Sequence, residues 1–185
     1  MKKVMILALL VLALNTPAIA DDMASWENEA GNLQKLLSNK ALPNNEKCQK
    51  TWDLLWPQAK EGNLEAREHL FFFSLAMPHN DTLQMPGSGN NFIARMHDGL
   101  ILAVHSAGVQ YKQEIYVDVA EGFFTDLGLE KTEFYKCFKQ NLSTDCSRLA
   151  VEEGLVPSFD EFAANIDFFV EQGRKPQCLF NPKSE

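Results

Sequence analysis

The 185-residue chain predicts an all-α fold, an irregular short α-solenoid or helical bundle of antiparallel helix pairs braced by disulfides. Three observations carry that expectation. Apolar residues recur at steps of three and four along most of the length, as they do on one face of an α-helix, and no convincing alternating run of the kind a half-buried strand shows is present. The segment Trp52 to Leu70 spells one helix ending, a tight turn and a second helix beginning. An even number of cysteines follows what reads as an export leader, and in an exported chain that pattern points to disulfides.

Residues 1–20 have the three parts of a secretory signal peptide: Lys2 and Lys3, an apolar run from Val4 to Leu14, and small residues at Ala18 and Ala20 that suit cleavage before Asp21. The apolar run is shorter than the roughly 20 residues that span a bilayer. No later segment is long and apolar enough either, so residues 21–185 are expected to form a single soluble helical domain in the periplasm or outside the cell. Cleavage removes two lysines and no acid, leaving 165 residues and moving the formal charge from −8 to −10. A chain of that size can bury one core. Its acidic balance repels phosphate backbones and anionic headgroups, which argues against nucleic acid or a membrane surface and leaves a neutral or basic protein as the expected partner.

The elements follow in order. Met23, Trp26, Ala30, Leu33 and Leu37 give a first helix at helical spacing, and Cys48, Trp52, Leu55 and Ala59 give a second from Asn44 to Lys60, disturbed near its end by Pro57. Gly62 is placed to stop that helix and Asn63 to cap the next, which runs from Leu64 to Met77 with Ala66, Leu70, Phe73 and Met77 inward until Pro78. Pro78 to Asn91 is rich in turn formers and reads as a loop of moderate length, a length at which function and plain connection are both common. Further helices are expected over Phe92 to Ala107, Gln113 to Leu127, Thr132 to Gln140 and Thr144 to Glu153, the last closed by Gly154. Ser158 and Glu161 form a capping box that opens a final helix through Phe162, Ile166 and Phe169 to Gly173.

The mature chain carries Cys48, Cys137, Cys146 and Cys178. Cys137 and Cys146 flank a short connection around Asn141 to Thr144, so an antiparallel helix pair would bring them face to face, and Cys48 to Cys178 then follows as the second bridge. A zinc site built from the four thiolates is the rival, but closely spaced ligand pairs such as C-x-x-C are missing. On the chain-entropy model the short bridge contributes about 2.7 kcal/mol and the long one about 5 kcal/mol.

Trp56, Ala59, Gly62-Asn63, Ala66 and Leu70 together resemble the Sel1-like repeat family, relatives of the tetratricopeptide repeats. The resemblance covers residues 52–73, within a unit near 44–77. It implies closely paired helices with small residues at their contacts, and a role in protein–protein contact. The family commonly has a small residue and a tyrosine-containing turn after the position of Leu70, where this chain has Phe71-Phe72-Phe73. A weaker echo ends at Gly154. Because repeat units bury their faces on neighbours, one clear unit implies an irregular assembly and not an array.

Chemistry leaves fewer marks. His97 and His105 lie eight residues apart on one expected helix, about 12 Å along its axis, too far to share an ion. Glu114, Asp118 and Glu121 read as a solvated face, and Trp52 and Trp56 as core. No nucleophile elbow, phosphate loop, zinc-protease motif or dinucleotide fingerprint is present, so no enzyme activity, metal or cofactor is expected. Phe71, Phe72 and Phe73 point about 100° apart on a helix and cannot share one core stripe, which makes Phe71 and Phe72 candidate contact residues, with His79 and Asp81 of the loop beside them. The expected function is that of an exported scaffold mediating protein–protein interaction in the cell envelope, as an adaptor or as an inhibitor or immunity-type protein; the alternative is a peptidoglycan-binding or peptidoglycan-active envelope protein.

Overall fold

The computed structural model describes residues 30–74, 82–88, 91–107, 113–141 and 144–179, so the leader lies outside the described residues. The helices are α1 over residues 30–38, α2 (Asn44–Lys60), α3 (Leu64–Ser74), α4 (Phe92–His105), α5 (Gln113–Asp126), α6 (Glu133–Asn141), α7 (Thr144–Glu152) and α8 (Phe159–Glu171). Among the described residues none of them is long and apolar enough to cross a membrane.

The α2–α3 junction forms as its residues dictate. The amide of Gly62 bonds the carbonyl of Ala59 and that of Asn63 bonds Gln58, the double closure that a residue in the left-handed region permits, and Gly62 takes φ +97°. Asn63 Oδ1 then accepts the amide of Ala66 at 2.9 Å, capping α3. At the other end of the chain the capping box at Ser158 is complete, with Ser158 Oγ accepting from Glu161 N and the Glu161 carboxylate accepting from Ser158 N. The carboxylate of Glu153, just past α7, accepts the amides of Glu133 and Phe134 at the start of α6, where an anion is favoured by the free amides and the helix dipole.

One feature departs from the expected all-helical chain. The segment read as a loop from Pro78 to Asn91 contains a strand, β1 (Thr82–Gln84), which pairs antiparallel with β2 (Gln177–Leu179) in the register Thr82 to Leu179, Leu83 to Cys178 and Gln84 to Gln177. Three residues are too few to show an alternating pattern, and the pairing partner lies at the far end of the chain. So short a ribbon is marginal alone; here β1 packs on α3 and β2 on α2.

Consecutive helices α2 and α3, α3 and α4, and α6 and α7 pack together. In a solenoid each unit touches only its neighbours. Here α4 also meets α7 and α8, and α2 meets α8, so the helices close into a bundle. Its core has two aromatic centres. Trp52 and Trp56 stack at 4.7 Å and Trp56 abuts Phe159 and Phe162, while Phe124 meets Phe134 and Phe138 edge-on at 4.9 and 5.1 Å. Trp56 Nε1 donates to Asp167 Oδ1 and Lys60 Nζ to Oδ2, tying the end of α2 to α8.

Cys137 and Cys146 are bonded, with Cα atoms 5.4 Å apart across the α6–α7 connection. Cys48 is also disulfide-bonded, and among the described residues no cysteine is free. Cys178 is the one cysteine left in the chain, and its strand lies against the helix that carries Cys48.

Candidate functional site

The turn after β1 and the N-terminal half of α4 face the C-terminal half of α8, and a cavity of about 390 Å³ lies between them. Asn91 starts α4, its Oδ1 accepting the amides of Ile93 and Ala94 at 3.0 and 3.2 Å. Ala94 and Asp98 follow at helical spacing and line the cavity with His97, while Asn165, Ile166 and Phe169 of α8 line the opposite side.

Asp98 is the unusual residue here. Its side chain is only 9% exposed although it lines the cavity, and the hydroxyl of Ser88 donates to its Oδ2. Burial pushes the carboxyl above its ordinary value, opposed by the Ser88 bond and by the charge of neighbouring His97. A serine, an aspartate and a histidine do not make a hydrolytic triad in this arrangement. In a triad the imidazole stands between hydroxyl and carboxylate, whereas Ser88 bonds the carboxylate directly.

Gly87 holds the wall. It adopts φ +104°, and a β-carbon there would collide with the ring of Phe169, so the turn lies directly on that ring. Gly87 also borders a second hollow of about 480 Å³ lined by Met85, Gly173, Arg174, Lys175 and Gln177. The Arg174 guanidinium lies 4.9 Å from the centre of the Phe169 ring, so the groove has a carboxylate at one end and cations at the other. Apolar side chains are left in solvent beside it: Ile93 of the lining is 78% exposed, and Phe168, whose ring packs on that of Phe169, is 54% exposed.

The expected contact residues do not build this site. Phe71 is fully buried and meets Phe123 edge-on at 5.7 Å, which corrects its assignment to a contact surface: α3 is covered on more than one side, so the ring that the single-stripe argument placed outside is core. Phe72 is half-buried and packs on the same core, and Phe73, expected inward, is half-buried too. His79, Asp81 and Met77 lie outside the described residues. Pro86, Gly87 and Ser88 of the lining come from the segment read as a loop from Pro78 to Asn91. Asp98 carried a signal in the sequence: it shares a helical stripe with Ile101, Leu102 and His105, all buried.

A second polar cluster is architectural. The Arg67 guanidinium lies 3.6 Å over the ring of Phe159; its Nε donates to the carbonyl of Ala59 and its Nη1 to that of His105. His105 Nε2 is 2.9 Å from the carbonyl of Pro157. Burial lowers Arg67 to about 10 and also holds His105 below its ordinary value. These contacts join α3, α4 and the start of α8.

Among the described residues no group of three or more histidine, cysteine, aspartate or glutamate side chains is placed to hold a metal ion. Fold and groove together define a disulfide-braced helical bundle with a bordered cleft. No protein-family model matches the chain, and no curated protein and no solved structure matches it.

Proposed function

We propose that the protein is an exported helical binding module that holds another protein in the cell envelope, by the groove between the 85–88 turn, α4 and α8. The observation that carries the reading is Ile93, 78% exposed, on the lining of a cavity with a polar floor. Large apolar groups around a concave site with a few placed polar groups are the usual composition of a binding surface. The acidic chain favours a neutral or basic partner and suits an inhibitor or immunity-type role against a basic enzyme. Disulfides and the leader-like first 20 residues support the periplasm or exterior as its place. The Sel1-like character of residues 52–73 supports protein contact as the mode of action. No catalytic role is assigned to the groove.

Capture from envelope extract with the mature chain and its Ile93→Asp variant tests this. Position 93 is exposed and in the first turn of α4, where an acid is favourable, so the variant keeps its fold. The expected outcome is a protein partner retained by the wild type and lost by the variant. Equal retention by both, or no protein partner together with binding to purified cell wall, overturns the reading.

A further inference from the structure

We propose that the cavity over Asp98 receives a lysine or arginine side chain of the partner, an inference that rests on the binding role argued above. Asp98 is a buried residue that lines the cavity, and its carboxylate is met in the fold by a neutral hydroxyl from Ser88. A buried carboxylate met by a hydroxyl keeps part of its desolvation cost. Among the described lining residues the one basic side chain is that of His97, whose charge acts on Asp98, and there is no lysine or arginine; Arg174 and Lys175 border the other hollow, beyond Gly87. An entering ammonium or guanidinium would supply a permanent charge and form a charge-assisted hydrogen bond to the carboxylate.

The walls suit the rest of such a side chain. Phe169 offers an aromatic ring and Ile93 an aliphatic surface for a methylene stem. The volume of about 390 Å³ falls inside the roughly 300–1,000 Å³ of ligand sites. An anion is disfavoured here, because the carboxylate repels it and the amides of Ile93 and Ala94 at the start of α4 are already taken by Asn91. A neutral amide would bond the carboxylate and leave its charge uncompensated. The net charge of −8 over the whole chain favours a basic partner.

The test is an amide-resolved NMR titration of the mature protein with N-acetyl-arginine amide, N-acetyl-lysine amide and the neutral N-acetyl-norleucine amide. The cationic probes are expected to shift the Ser88, Ile93 and Asp98 resonances and to bind at least about tenfold more tightly than the norleucine probe. Asp98→Asn should erase that preference while leaving the norleucine probe unchanged. In the wild type the preference should shrink as sodium chloride rises from about 0.05 to about 0.5 M, which provides a readout even if the variant folds poorly. Equal affinity for charged and neutral probes, no shift by any probe, a preference surviving in Asp98→Asn, or one indifferent to salt overturns the inference. Partner capture that is lost in Ile93→Asp yet unchanged in Asp98→Asn overturns the cation site and leaves the binding role standing. Capture unchanged in both variants, with the arginine probe still held by the wild type, overturns the binding role instead.

Discussion

His105 shows how a single buried side chain sets a pH response. The ring is 7% exposed, packs edge-on against Phe159 and has its Nε2 beside the carbonyl of Pro157. Burial, the largest influence, and the nearby Arg67 charge lower its pKa from 6.5, while the Pro157 contact and Asp160 oppose them. The folded state therefore binds its proton less readily than the unfolded chain. The stability this contributes is complete above 6.5 and is lost as the pH falls below it. Urea denaturation is expected to give a lower midpoint at about pH 5.5 than at about pH 7.5, and His105→Gln, which keeps a donor for Pro157, should shrink that difference. An unchanged difference would assign the acid response elsewhere. At this scale the sequence was legible where a residue's role is local. His97 and His105 were expected to be too far apart to share an ion, and Trp52 and Trp56 shared one face as expected and are both core. The burial of Phe71 and of Asp98 was not foreseen because it depends on which second and third helices cover α3 and α4, and helical period reports one face at a time.

The caps and stops along the helices were readable because each is a contact within a few residues: Gly62 with Ala59, Asn63 with Ala66, Ser158 with Glu161. The β1–β2 ribbon was not, since neither segment pairs with anything near it in sequence. That ribbon and the Gly87 turn fix one wall of the groove. Gly87→Ala places a side chain at φ +104° and drives its β-carbon into Phe169. The expected result is a loss of about 1–3 kcal/mol in chemical denaturation together with shifted Phe169 ring resonances. Unchanged Phe169 signals would show that the turn does not rest on that ring. An alanine at Gly122, where a β-carbon meets open space and the backbone is helical, makes the control.

At the scale of the whole molecule the class of fold and the cysteine usage were legible in composition and period, while the closure of the bundle was not. The contacts of α2 and α4 with α8 join distant parts of the chain, and nothing in a linear pattern specifies them. The Cys137–Cys146 bridge was an exception because its two ends flank one short connection. Replacing both of these residues by serine should lower stability by about 2.7 kcal/mol, measured by denaturant midpoint, and the wild type should show no reactive thiol in denaturant without reductant. Four reactive thiols would remove the bridging altogether. The ribbon carries one further meaning. Pairing Gln84 with Gln177 requires most of the polypeptide to be synthesised and a long stretch of it brought round, a step whose entropic cost favours late formation over nearby helix contacts. A groove walled by so late a pairing would be complete only when the fold is, and the binding proposed for it would then report that folding has finished.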